Sequence, residues 1–255
     1  MQPCQGLNPK IVTNGDIMYT TLSDAPFGKS LILKKIDDQA LALQLKRMGL
    51  FEGSEITRID EEVLIQPVRI KGPEKEVILG GRMGTKVIVH LDNGRKVPAA
   101  EMKPGETGHI EGLTCGSQLC RSLEVMGLKE NDEITFLRKL PPMQYVAVIE
   151  KNKRISLSEG MAAKIWGKMN DKMLQFCSAR AGENFYVQEL LCGQNAKKMI
   201  TSLGVKPGTV LILEGVEQAQ SLFMYIHDPI IITSKDGLRL FLQQDQGKEI
   251  FVREI

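Results

Sequence analysis

Apolar and polar positions recur along this chain with one period. Gly28, Gly105 and Gly182 stand 77 residues apart, and each opens a strand-like apolar run, at 29–36, 106–113 and 183–190. A helical pattern follows each run. Its apolar positions fall at i, i+4 and i+7: Leu41, Leu45, Met48, then Leu119, Leu123, Met126, then Ala196, Ile200, Leu203. That spacing puts three side chains on one helical face. Each helix closes on Met48-Gly49-Leu50, Met126-Gly127-Leu128 or Leu203-Gly204-Val205, where the glycine suits the left-handed position after a helix end. Four residues on come Gly53, Asn131 and Gly208, the residue types that tolerate positive φ, so a tight turn is predicted there.

Strand-like runs resume at 56–59, 134–137 and 210–213. Hairpin signals follow at 68–70 with 77–79, 145–149 with 154–157, and 222–226 with 238–242, the last around Pro229 and the turn pair Asp236-Gly237. A short closing helix is predicted near 83–89, 161–166 and 249–252; the first two share Met-x-x-Lys-Val/Ile. Each unit therefore reads strand, helix, strand, hairpin, short helix. The predicted fold class is mainly β with short helices (α+β), as three tandem small barrels. The units are an N-terminal extension, 1–19, and domains at 20–96, 97–173 and 174–255. Cores this small are marginal alone, and the linkers near 92–100 and 170–177 are short, so the units are expected to pack against one another.

Composition narrows the function classes. The 255 residues are 42% hydrophobic and 25% charged, which excludes a disordered chain. The net charge of +2 has no long run of one sign, so neither a nucleic-acid footprint nor a membrane-surface stripe is expected. No apolar run reaches the length of a membrane span, and residues 1–10 lack the order of a signal peptide. Five cysteines in no framework suit a reducing, cytoplasmic setting.

The repeated pattern resembles the FeoA domain: a Pro-x-Gly opening, a strand, a helix ending in Met/Leu-Gly-Leu/Val, then x-x-Gly-x-x-Ile. Pro26-Phe27-Gly28 through Met48-Gly49-Leu50-Phe51-Glu52-Gly53-Ser54-Glu55-Ile56 carries it in the first copy. Pro104-Gly105 through Met126-Gly127-Leu128 to Ile134 carries it in the second, and Ala181-Gly182 through Leu203-Gly204-Val205-Lys206-Pro207-Gly208-Thr209-Val210 in the third. The resemblance implies a barrel of the Src-homology-3 type. It also implies an accessory of FeoB-type ferrous iron transporters, or the C-terminal domain of DtxR-type repressors, whose DNA-binding domain has no counterpart ahead of these repeats.

Gly28-Lys29-Ser30 is no phosphate loop, because Ser23 stands where the earlier glycine belongs and a strand follows. Cys115 and Cys192 are equivalent positions just before a helix, where a thiol can be activated or bind metal; the first copy has Asp37-Asp38 in that loop. His90, His109 and His227 fall at non-equivalent positions without ligand spacing and read as ordinary strand or surface histidines, with Asp228 beside His227 in a long loop. No nucleophile with a base and no paired acids recur in register. The expected function is thus a non-enzymatic cytoplasmic binding protein of ferrous iron uptake. It would dock through its barrels on a transporter's cytosolic domain or on itself, with the turns at Gly49, Gly127 and Gly204 as contact surface. The alternative is a sensor holding a divalent transition metal such as iron between repeats, with Cys115, Cys192, Asp37, Asp38 and His227 as candidate ligands.

Overall fold

A proline stands in every connector between the central strand of a copy and the hairpin after it: Pro67, Pro141-Pro142 and Pro229. Proline fixes φ, lacks an N–H and pushes the preceding residue into extended backbone, so these connectors favour running on over folding back in a tight turn. The computed structural model, which describes residues 12–13, 18–61, 65–114, 116–149, 153–219 and 229–255, shows the consequence.

The first copy contributes β1 (Val12–Thr13), β2 (Met18–Thr21), β3 (Ser30–Ile36), α1 (Gln39–Arg47), β4 (Glu55–Ile59), β5 (Val68–Lys71), β6 (Glu76–Leu79), α2 (Gly81–Gly84) and β7 (Val87–Leu91). The second contributes β8 (Lys96–Pro98), β9 (Thr107–Leu113), α3 (Ser117–Val125), β10 (Glu133–Lys139), β11 (Met143–Ile149), β12 (Lys153–Ser158), α4 (Glu159–Ala162) and β13 (Ile165–Met169). The third contributes β14 (Lys172–Gln175), β15 (Asn184–Leu190), α5 (Gln194–Ser202), β16 (Val210–Gln218), β17 (Ile230–Ser234), β18 (Arg239–Leu242), α6 (Gln244–Lys248) and β19 (Ile250–Glu254).

Within the described residues, the predicted strands, main helices and positive-φ turns form. The predicted linkers are instead hairpins, β7–β8 and β13–β14. Asn170 and Asp171 both take positive φ (47° and 63°), the signature of a two-residue hairpin turn, and Val97 and Phe176 are buried. The short helices lie earlier than predicted, and the segments after them, rich in β-branched residues, are strands β7, β13 and β19. In the third copy β18 pairs with β17; 222–226 lies outside the described residues.

The sequence repeat and the sheet are half a unit out of phase. The second sheet has the order β6-β5-β10-β9-β7-β8 and the third β12-β11-β16-β15-β13-β14. The first runs β1-β2-β19-β3-β4-β17-β18. Each hairpin thus joins the sheet of the following copy, and the third copy's hairpin joins the first copy's sheet. Units 20–96, 97–173 and 174–255 are repeats in sequence, while each sheet draws on two of them. The end strands of a sheet do not pair with each other, so the sheets are open rather than closed barrels.

The chain divides into two compact units. Unit 1 (residues 1–63 and 225–255) holds the first sheet; unit 2 (64–224) holds the second and third. In unit 2 two apolar cores interlock: Trp166 of β13 packs in the second sheet's core, and Ile78 of β6 in the third's.

Candidate functional site

The helix-end turns repeat almost atom for atom. Leu50, Leu128 and Val205 donate their N–H to Leu45, Leu123 and Ile200 (2.8, 2.8 and 3.3 Å), and Gly49, Gly127 and Gly204 donate to Lys46, Glu124 and Thr201 (3.1, 2.9 and 2.9 Å). This is the paired bonding of a Schellman cap, which needs the positive φ of 96°, 78° and 99° found at the three glycines. The turns nevertheless differ in what surrounds them. Gly127 sits against Glu74 and Lys75, and Gly204 against Ile149 and Lys153, whereas a side chain at Gly49 would meet nothing within 4 Å. Near Gly49, Leu43 and Phe51 are exposed (63% and 55%); Arg121 and Lys198, and Lys129 and Lys206, hold those places in the other copies.

Asp37, Asp38 and Cys192 each have local partners. Asp38 caps α1 by accepting from the N–H groups of Ala40 and Leu41 (2.8 and 3.1 Å). Asp37 pairs with Lys35 at 2.6 Å. Cys192 is buried, and burial raises its thiol pKa despite the opposing charges of Lys164 and Lys197, so the thiol form is favoured over a ligating thiolate. Cys115 and His227 lie outside the described residues.

Among the described residues, one group of three His, Cys, Asp or Glu side chains could share an ion, and sequence reasoning passed over it. His90 on β7 and His109 on β9 are direct cross-strand partners, and Glu111 is two residues along β9. Glu111 is the extra residue of a bulge in β9 opposite Ile88 and Val89, and its carboxylate reaches both imidazoles. Glu111 Oε2 lies 3.6 Å from His90 Nδ1 and 3.2 Å from His109 Nε2, and the imidazole centroids are 5.0 Å apart. Glu111 Oε1 accepts from Lys96 Nζ at 2.5 Å. Burial acts to raise the Glu111 pKa, but Lys96 and the two imidazoles more than offset it, so the carboxylate is favoured. His90 and His109 are strand histidines, as expected, and the fold brings the two together. The pairing arises across the boundary between copies, where no sequence spacing records it; the alternation His109-Ile110-Glu111 was the one available signal.

The FeoA domain family matches residues 20–91 and 97–169, more than half of the chain. The chain belongs to the FeoA-domain family. No curated protein and no solved structure matches it. FeoA domains are non-enzymatic accessories, and membership implies an accessory role in ferrous iron transport. No helix among the described residues is long and apolar enough to cross a membrane.

In this FeoA-family chain the most perturbed groups are interior. Gln175 of β14, 3% exposed, accepts from Ile78 N–H (2.9 Å) and donates to the Ile78 and Ala163 carbonyls (2.8 and 2.7 Å). The side chain thereby serves as a strand partner for the end strand β6. Glu159, also 3% exposed, opens α4; burial raises its pKa to about 7 against the pull of Arg69 and Arg138. Burial likewise pushes the Cys177 thiol up to about 12. Through Ile78, Gln175 ties the third sheet to the second.

Proposed function

We propose that this protein is a non-enzymatic cytoplasmic accessory of ferrous iron uptake that docks on the cytosolic domain of a FeoB-type transporter through the α1 turn of its first copy. Family membership supports the pathway. The observation that carries the surface is the contrast at the helix-end turns. All three share one backbone geometry, yet only the turn at Gly49 is open and flanked by exposed Leu43 and Phe51 in place of Arg or Lys. Exposed apolar side chains on a rigid turn present contact area with little ordering cost. The turns at Gly127 and Gly204 are propped by hairpin side chains and charged, and serve as scaffold.

Capture by the immobilised cytosolic domain of the transporter tests this. The full chain should bind, Leu43→Glu with Phe51→Glu should weaken capture at least tenfold, and Arg121→Glu with Lys129→Glu should leave it within about twofold. Failure of the folded wild-type protein to bind overturns the transporter reading. Concentration-dependent size on gel filtration, abolished by the Leu43/Phe51 variant, would assign the same surface to self-association.

A further inference from the structure

We propose that His90, His109 and Glu111 form a binding site for a divalent first-row transition ion on the second sheet, with both imidazoles and one carboxylate oxygen as ligands and solvent completing the shell. The inference does not rest on the transporter reading.

The ligand atoms lie within 4.8 Å of one another. Bonds of about 2.0–2.2 Å put neighbouring ligand atoms roughly 3.0–3.5 Å apart, so the two contacts at 3.2 and 3.6 Å already match. Rotation of the half-exposed imidazoles closes the remaining gap. The backbone is fixed where it must be. A Cβ on Gly108, beside His109, would lie 2.3 Å from the His90 carbonyl oxygen, so only glycine lets β9 approach β7 this closely. Lys96, the cross-strand partner of His90 on its other side, takes Glu111 Oε1 and leaves Oε2 facing the imidazoles. A partner on the second oxygen is how ligating carboxylates are commonly oriented.

The chemistry selects the ion. Two neutral imidazoles and one carboxylate whose charge Lys96 largely cancels give little attraction for Ca²⁺ or Mg²⁺, which seek oxygen, but suit Fe²⁺, Co²⁺, Ni²⁺ or Zn²⁺. The set is peculiar to this sheet. The same positions read Lys168, Tyr186 and Gln188 in the third sheet and Arg253, Ile32 and Lys34 in the first. Two of the chain's three histidines therefore meet where the other sheets carry no ligand.

Co²⁺ titration of the full, reduced chain, followed by absorption, is the test. The expected result is one equivalent with d–d bands and no thiolate charge-transfer band. His90→Ala, His109→Ala and Glu111→Gln should each weaken binding at least tenfold, and Mg²⁺ in excess should not compete. Unfolding without metal checks that the variants remain folded, and His90→Gln provides a second variant. Absence of binding at millimolar Co²⁺, a thiolate band, or affinity unchanged in both histidine variants overturns the proposal.

Discussion

Residues 68–139 supply all six strands of the second sheet in one run, whereas 18–59 and 230–254 supply six of the first sheet's strands from two distant stretches of chain. The pairings correspond strand for strand: β2-β19-β3-β4-β17-β18 against β8-β7-β9-β10-β5-β6. What differs is the chain that joins them. Between β4 and β17 lie residues 60–229, against 72–132 between β5 and β10, a loop less than three times as long. Treated as a flexible chain, that adds only about 1 kcal/mol of closure entropy. Pairing of distant segments is therefore inexpensive to maintain, but it makes unit 1 depend on residues far apart in sequence.

The strongest way to break the comparison is truncation after residue 219. The first sheet would lose β17, β18 and β19, stripping both neighbours from the β3–β4 pair and exposing Leu31, Leu33 and Ile56, while the other sheets lose no strand. Hydrogen exchange should show protection abolished over 18–59 and kept over 68–218. Protection retained in β3 would mean that the copies fold as the sequence divides them, and uniform loss that the whole chain unfolds as one cooperative unit.

A smaller break lies inside unit 2. Gln175 holds both backbone groups of Ile78, whereas the equivalent places carry Pro98 and Thr21. Gln175→Ala leaves a buried N–H and carbonyl unpaired and should cost about 3–4 kcal/mol. Pro98→Ala should cost less than about 1 kcal/mol. Urea unfolding of the two variants side by side measures the difference.

Most of the local structure was legible in the sequence because it rests on local chemistry. The glycines at 28, 49 and 53 and their counterparts dictate backbone conformation whatever surrounds them, and Leu45, Leu123 and Ile200 mark the buried helix face directly. The pairing of strands was not legible, since a hairpin with the right alternation satisfies its own copy's sheet and the next copy's equally well. Pro67, Pro141-Pro142 and Pro229 decide between them, and they act through the connector rather than the strands. The His90–His109 pairing was hidden for the same reason: it exists only once β7 is placed beside β9.

The third sheet differs from its neighbours in how its short helix begins. Glu159 opens α4, where α2 has Gly81 and α6 has Gln244. With a folded pKa of about 7 against an ordinary 4.5, the buried carboxyl stays protonated in the native state while the unfolded chain ionises. Stability is therefore fully present below pH 4.5 and falls as the pH rises to 7, by about 3 kcal/mol. Glu159→Gln should flatten that slope in urea midpoints taken between pH 4.5 and 7; an unchanged slope would place the titration elsewhere.

The finest discrimination comes from moving the ligand set. Lys168 and Tyr186 are cross-strand partners in the third sheet as His90 and His109 are in the second, and Gly167, beside Lys168, allows the same close approach: its Cβ would lie 2.3 Å from the Tyr186 carbonyl. Substituting Lys168→His, Tyr186→His and Gln188→Glu therefore rebuilds the three donors on an equivalent backbone. Lys168 and Tyr186 are about half exposed (47% and 49%), so folding stability should change by less than about 1 kcal/mol. Met173 is the residue across from Lys168 on β14, in the place of Lys96, so the new carboxylate has no ammonium to orient it. The expected outcome is a second equivalent of Co²⁺ with the same d–d bands, bound about 10–100-fold more weakly than the first. Adding Met173→Lys should recover part of that difference. Equal affinity without the lysine would show that Lys96 is a surface ion pair and that the imidazole pair alone makes the site.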